Sequence, residues 1–421
     1  MINLNSTNSR ISFLRRIVKS LKIVHRSAII FKYPFLLSLL LISSQLHQAF
    51  EKSDECHIYD LRRYLFVEEK DKFPQEYVDY ISENVDVILA RFGFNGAVLI
   101  AQEGQILFEK YNGLADLRDT SSYVNSNTLF QLASVGKQFT AIATVMLKER
   151  GYFEYDDFVA DYIDSFPYPN ITIRHLLNHT SGLQNYMYLL DHYWKQDSFP
   201  KNSDLVSLFA EHNLPLNFSP GRRFAYSNTG YAFLALLIEE VSAMPFADFM
   251  KQELFIPLGM NNTFVYSPEN NNIENRSFGF SRRNHRSIVS DDIHDGIVGD
   301  KGFFSTSRDL FRWDMALTHF SPISKEGMQE AVSKAVLNNG REVNYGFGWR
   351  LKKVNNYDFV YHHGWWHGFR TVYKRIPEKN IVIIILNNTN SNIGVITRNI
   401  NKLLLLDFDN SNEHIADNQE F

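Results

Sequence analysis

Apolar positions recur every third or fourth residue through PQEYVDYISENVDVILARFG, where Tyr77, Ile81, Val85, Ile88 and Phe92 fall on one face, and this spacing predicts a helix that opens the folded body. The period then shortens. NGAVLIAQEGQILFEKYNG carries two β-rich runs around Glu103-Gly104 and predicts a hairpin. Helical spacing returns in LFQLASVGKQFTAIATVMLKERG, Leu129 to Gly151, through Phe139, Ile142, Ala143 and Met146, with Lys148 and Arg150 in the last turn and Gly151 placed to cap it. From Ile171 to roughly Leu258 the pattern is mainly helical, broken by the turn clusters HTSG (His179 to Gly182) and FSPGRRF (Phe218 to Phe224). Short β-like runs come late: VNYGFGWRLKK, YDFVYHHG, FRTVYKRI and IVIIILNN, the last two joined by the turn PEKN, Pro377 to Asn380. SNIGVITRNINKLLLL reads as a closing helix. Early strands, a helical middle and late strands that can complete one sheet predict an α/β (α+β) sandwich with a mainly helical lobe, about residues 152–300, inserted in sequence.

The ends of the chain break this pattern. Arg10, Arg15, Arg16, Lys19, Lys22, Arg26 and Lys32 precede the apolar run FLLSLLLI, Phe35 to Ile42, as in a secretory signal cleaved near Ala49. That run falls short of the ~20 apolar residues of a spanning helix, and a signal-anchor that adds Ala28 to Phe31 is the alternative. Residues 1–50 are therefore assigned to a signal peptide or N-terminal membrane anchor, 51–72 to a charged leader, 73–406 to the folded domain and 407–421 to an acidic, Asn-rich loose tail. The body is then exported, to a periplasm or cell envelope. Cys56 is the single cysteine, so no intramolecular disulfide forms and packing alone holds the fold. A net charge of -4, with charges interspersed, disfavours a nucleic-acid partner.

Candidate chemistry centres on Ser134 and Lys137. An i, i+3 spacing sets the hydroxyl and the ammonium on one face of a helix a turn apart, and the helix N-terminus favours negative charge developing there. A serine hydroxyl needs an adjacent base, and a lysine desolvated in an apolar helix face suits that role. The spacing alone is weak evidence, because SFPK at Ser198 to Lys201 repeats it in a loop-like, proline-containing context. Two further stretches supply partners. In FAYSNTGY, Tyr226 and Asn228 lie in a turn-like Y-x-N just before an apolar helix, Phe233 to Val241. Phenolate is favoured beside a lysine cation, which suits Tyr226 as base toward Ser134 and as donor to the leaving group; Asn228 suits contact with Lys137 and a substrate amide. In VYHHGWWHGF, Gly364 permits close approach of backbone to substrate, and the Trp365 N–H with that of Ser134 suits an oxyanion hole.

The order SVGK, YSN, HHG resembles the serine β-lactamase and penicillin-binding superfamily, in particular its class C β-lactamase-related branch. ITIRHLLNHTSGL, FSPGRRFAYSNTGY, ELFIPLGMNNT, GFFSTSRDLFRWDMAL and HHGWWHGFRTVYKRIPEKNIVIIILNN extend the likeness over about residues 75–400. The resemblance implies an antiparallel sheet flanked by helices. It further implies Ser134 as the acylated nucleophile, Lys137 and Tyr226 as the proton-transfer pair, Asn228 as a substrate and lysine contact, and His362 as the first residue of the third motif. Class C β-lactamases have lysine where this chain has His362, which weakens the case for binding an antibiotic carboxylate. The expectation is an exported serine hydrolase acting through a Ser134 acyl-enzyme on small-molecule or peptide substrates: D-amino-acid peptides of cell-wall (peptidoglycan) type, then small esters, then β-lactams. A penicillin-binding sensor or other non-turnover module on the same fold is the alternative.

Other readings are weaker. His175 and His179, spaced i, i+4, lack an acidic third ligand at a recognisable spacing, and His362, His363 and His367 suit a substrate-lining strand, so no metal or cofactor is assigned and a zinc hydrolase is disfavoured. Neither LASVG nor NHTSG has the leading glycine of a G-x-S-x-G elbow, which counts against an α/β-hydrolase. Trp365 and Trp366 suit a hydrophobic wall for an acyl or aromatic group as well as they suit core packing.

Overall fold

The computed structural model describes residues 72–269, 273–280, 287–354, 356–389 and 391–405. The N-terminal basic and apolar segment, Cys56, all but the last residue of the 51–72 leader, and the 407–421 tail lie outside the described residues. Helix α1 (Gln75–Arg91) buries Ile81, Val85 and Leu89 against a sheet, the stripe that helical spacing predicts. Strands β1 (Gly96–Gln102) and β2 (Gln105–Asn112) form the expected hairpin, with Glu103 and Gly104 at positive φ in its turn. The later strands are β3 (Arg350–Val354), β4 (Tyr357–Trp366), β5 (Phe369–Ile376) and β6 (Ile381–Asn387). They join the hairpin in one antiparallel sheet of order β2-β1-β6-β5-β4-β3.

Every residue of β6 is buried, which explains why IVIIILN shows no polar alternation: both faces are covered. On one face Val98, Ile100, Ile383 and Ile385 pack with Ile81 and Val85 of α1 and with Ile396 and Ile400 of the closing helix, Ile393–Leu404. The other face is covered by helices from later in the chain. The helix Ser307–Thr318 packs on β1 and β6, and beyond it runs α2 (Lys137–Glu149), buried at every residue from Lys137 to Leu147. Phe139 anchors α2 edge-on against Phe255, Phe303 and Trp313, with ring centroids 5.3, 5.3 and 4.8 Å away. Pairs of this kind add about 0.5–1.5 kcal/mol each beyond area burial and hold the helix in register. Among the described residues, no helix is long and apolar enough to cross a membrane.

Two sequence expectations change. The run VNYGFGWRLKK is strand only from Arg350 to Val354 in the main sheet, because Gly348 takes φ +78° and presses on α2, where an added Cβ would lie 2.9 Å from the Lys137 carbonyl oxygen and 3.1 Å from Ala141 Cβ. The apolar helix expected from Phe233 begins at Asn228 and runs to Ser242 (α3), so the N-terminal turn of α3 carries the polar residues that read as a loop. A small sheet of Phe130–Gln131, Phe303–Ser305 and Phe264–Val265 also forms, its first strand just before the turn that carries Ser134.

Candidate active site

Ser134 lies in a 3-10 turn, Ala133–Gly136, that runs directly into α2. From Thr128 to Leu147 it is the one residue that is not buried. The turn is clamped on both sides. Leu132 N–H donates to the Phe303 carbonyl (2.8 Å) and the Leu132 carbonyl accepts from the Thr371 hydroxyl of β5 (2.7 Å). Ala133 sits at φ +50°, a left-handed conformation that costs a non-glycine residue about 1–2 kcal/mol and survives only under such constraint. Gly364 of β4 admits the turn: a Cβ there would lie 2.2 Å from the Leu132 carbonyl oxygen and 3.1 Å from Ala133 Cβ. The close approach expected for Gly364 is thus made to the Ser134 turn of the chain itself.

Lys137 is fully buried, and its ammonium donates to Ser134 Oγ (3.1 Å), Asn228 Oδ1 (2.8 Å) and the Asp300 carbonyl (2.7 Å). Three N–H donors meet three acceptors, so none of the ammonium's hydrogen bonds is left unmade. Asn228, the first residue of α3, reaches across 91 residues of sequence to do this. Tyr226 is partly exposed, with its ring centroid 5.1 Å from the Lys137 ammonium nitrogen and 5.5 Å from the Arg350 guanidinium carbon.

Behind Tyr226 lie two neutral imidazoles. His179 is 4.4 Å from it between ring centroids and accepts at Nδ1 from the Ser227 N–H (3.1 Å), fixing the turn that carries Tyr226. His362, 6.0 Å from the same ring, donates from Nδ1 to the His363 carbonyl (2.7 Å) and accepts at Nε2 from the Tyr345 hydroxyl (3.1 Å). Burial first, and then the charges of Lys137 and Arg350, hold both imidazoles well below the usual histidine range. His362 is 1 % exposed with both nitrogens engaged, so the structure places it as a support beneath Tyr226 and not at the open surface expected of a substrate contact. Arg350 brings a second cation to the Tyr226 ring, beside Lys137.

Trp365 follows Gly364 and is 60 % exposed, its indole under the Arg370 guanidinium at 4.8 Å. Trp366 instead turns inward, its indole N–H donating to Asp295 Oδ1 (2.7 Å). His175 accepts from the Thr172 N–H (3.1 Å) in a capping box of the helix Ile173–Leu177, so the two histidines of the i, i+4 pair serve different local contacts. Among the described residues, Asp291, Asp295 and His367 could bring ligand atoms within 4.8 Å of one another. Those atoms are taken up already: Asp295 by Trp366 and by His367 Nε2 (2.6 Å), and Asp291 by Arg276 (3.0 Å) and the Tyr266 hydroxyl.

The sequence model of the family described as Beta-lactamase matches residues 83–406. The chain is 39% identical over 310 residues to Penicillin-binding protein 4* of Bacillus subtilis, covering 70% of this chain and 68% of that protein. It is 25% identical over 301 residues to a D-aminopeptidase of Brucella canis, covering 71% of this chain and 57% of that one. Among solved structures, a penicillin binding protein from Bacillus halodurans superposes with a TM-score of 0.67 at 25% identity, over 76% of this chain and 98% of that chain.

Proposed function

The chain belongs to the Beta-lactamase family, and from that premise we propose that it hydrolyses amide or ester bonds through an acyl-enzyme on Ser134. The observation that carries this reading is the Lys137 ammonium shared between Ser134 Oγ and two acceptors that cannot donate, Asn228 Oδ1 and the Asp300 carbonyl. As a neutral amine, Lys137 keeps both fixed bonds and accepts the Ser134 proton; as an ammonium, it donates to all three. In acylation the Ser134 Oγ–H proton passes to the Lys137 and Tyr226 pair, Oγ bonds to the acyl carbon, and the carbonyl electron pair moves to oxygen, toward the N–H groups of Ser134 and Trp365. Collapse breaks the bond to the leaving nitrogen or oxygen, which takes the proton from the pair. Water then repeats the sequence: it gives one proton to the pair, its oxygen bonds to the acyl carbon, the Oγ bond breaks, and Ser134 recovers a proton.

For the substrate, Arg350 beside Tyr226 supports an anionic group near the scissile bond, and the exposed Trp365 supports an apolar or aromatic neighbour. Together with a D-aminopeptidase among its relatives, this favours D-amino-acid peptides of cell-wall type over small esters, and those over β-lactams. The exported location argued from the N-terminal segment fits such a substrate. Intact-mass spectrometry of the full-length chain with a fluorophosphonate and with a penicillin, beside turnover of a D-alanyl peptide and a p-nitrophenyl ester, tests the reading. A fluorophosphonate adduct and repeated turnover, both lost in Ser134→Ala, are expected. A lasting adduct without turnover would leave a penicillin-binding sensor, and turnover retained in Ser134→Ala would overturn the acyl-enzyme.

A further inference from the structure

Next to the Ser134 site lies a second buried lysine that the reaction above does not use. Lys301 is 3 % exposed, and its ammonium donates to the Tyr186 hydroxyl (2.9 Å) and to the carbonyls of His294 (2.6 Å) and Ile297 (2.9 Å). Its side chain also lies 5.0 Å from the centroid of the Trp366 indole. Asp300, the preceding residue, is 1 % exposed. Asp300 Oδ2 accepts from the Tyr186 hydroxyl (3.1 Å), whereas Oδ1 is buried with no hydrogen-bond donor and faces the Lys301 ammonium at 3.8 Å. The backbone carbonyl of this same residue accepts from Lys137 (2.7 Å). One buried carboxylate therefore stands between two buried lysines, Lys301 meeting its side chain and Lys137 its backbone.

We propose that Lys301 is a positioning residue of the Ser134 site, the counter-charge that holds the Asp300 side chain away from Lys137 and leaves Lys137 to Ser134. The inference rests on the acyl-enzyme reading. Its physical basis is that a buried carboxylate without a counter-ion is costly and recruits the nearest cation. Without Lys301 that cation is Lys137, whose ammonium would turn from Ser134 Oγ toward Asp300 Oδ1. Burial lowers the Lys301 proton affinity and the Lys137 charge adds to this, while Asp300, Asp295 and Asp292 oppose both. Burial outweighs these carboxylates, so the Lys301 proton affinity is lowered overall. Tyr186 links the two, accepting from Lys301 and donating to Asp300.

The test compares wild type, Lys301→Met and the double variant Lys301→Met/Asp300→Asn for the rate of fluorophosphonate labelling at Ser134 and for kcat and KM on a p-nitrophenyl ester. Lys301→Met should label and turn over on the order of 100-fold more slowly with KM little changed, the scale of a disturbed proton-transfer group. The double variant, which removes the stranded carboxylate as well, should recover most of that loss. Thermal melts accompany each variant. If Lys301→Met fails to fold, the double variant decides alone: near wild-type labelling supports the inference, and slow labelling of a folded protein overturns it. Unchanged labelling in a folded Lys301→Met, or a loss that Asp300→Asn does not relieve, overturns the inference and leaves the Ser134 reading intact. Absence of labelling in wild type would instead remove that reading and the inference with it.

Discussion

At Tyr226 a single hydroxyl separates chemistry from packing. The ring is held by His179 at 4.4 Å and stacks over the Lys137 ammonium at 5.1 Å, and phenylalanine preserves both contacts. Tyr226→Phe should therefore lower kcat/KM by at least ~100-fold if the hydroxyl relays the proton. The same change should alter stability by no more than about 0.5 kcal/mol, because the residue is partly exposed. Steady-state kinetics beside a denaturant titration checks both, and a variant of wild-type activity would remove Tyr226 from the proton path. Ser134, Lys137, Tyr226 and Asn228 were legible in the sequence because each is a side chain of the right chemistry in a short motif. The Asp300 carbonyl was not, since an acceptor supplied by the backbone 163 residues from Lys137 has no residue signature. Arg350 escaped for a related reason: it lies in a β-like run in which nothing marks the contact it makes with Tyr226.

At the scale of elements, the site depends on how closely β4 meets the turn before α2. Gly364→Ala would set a methyl carbon 2.2 Å from the Leu132 carbonyl oxygen and 2.2 Å from Thr371 Oγ1, so the strand and the turn must separate. We expect a cost of about 1–3 kcal/mol and a loss of turnover larger than that cost explains, because the Ala133 strain and the Thr371 bond that aim Ser134 are released together. Circular-dichroism melts and kcat on the same sample test this, and an alanine variant with unchanged kcat would show that the close approach is dispensable. The long elements were readable from periodicity: α1, the β1 and β2 hairpin and the strands from β4 to β6 fall where apolar spacing put them. The start of α3 was not, because Asn228, Thr229 and Gly230 are weak helix formers whose sequence reads as a turn. Here tertiary contacts decide the matter, with Asn228 bonded to Lys137 and the Thr229 hydroxyl to the Gln184 carbonyl (2.6 Å). The small sheet around Phe303–Ser305 has strands of two or three residues, too short to carry a period.

Across the whole molecule, the candidate site groups come from distant parts of the chain, Ser134 and Lys137 meeting Tyr226 and Asn228 beside β4. Two buried, uncharged histidines, His179 and His362, lie there behind Tyr226, and His363, half-buried, points from β4 to the opposite face of the sheet beside Tyr361 (ring centroids 5.1 Å apart). Burial is the main cause in each case, and it pushes His363 down to about 3. In the unfolded chain these side chains take up protons near pH 6.5, and in the folded protein they do so only at much lower pH. Below about pH 6.5 the unfolded state therefore binds more protons, and each histidine removes up to about 1.4 kcal/mol of stability per pH unit. His294 acts in the opposite sense. Burial lowers its proton affinity, but the hydrogen bond and charge of Asp292, with Asp191, raise it overall, so its contribution is present in acid and fades as pH rises through its folded value. It is one group against three, so the lowered histidines outweigh it. Stability should thus fall steadily from pH 6.5 toward pH 4.5, before most carboxylates titrate, and with no disulfide to restrain the unfolded chain the fall should appear fully in Tm. Melts at half-unit intervals of pH measure it; a Tm that stays level or rises toward acid would mean that these histidines are charged in the folded protein, and with them the apolar backing of Tyr226 would have to be abandoned.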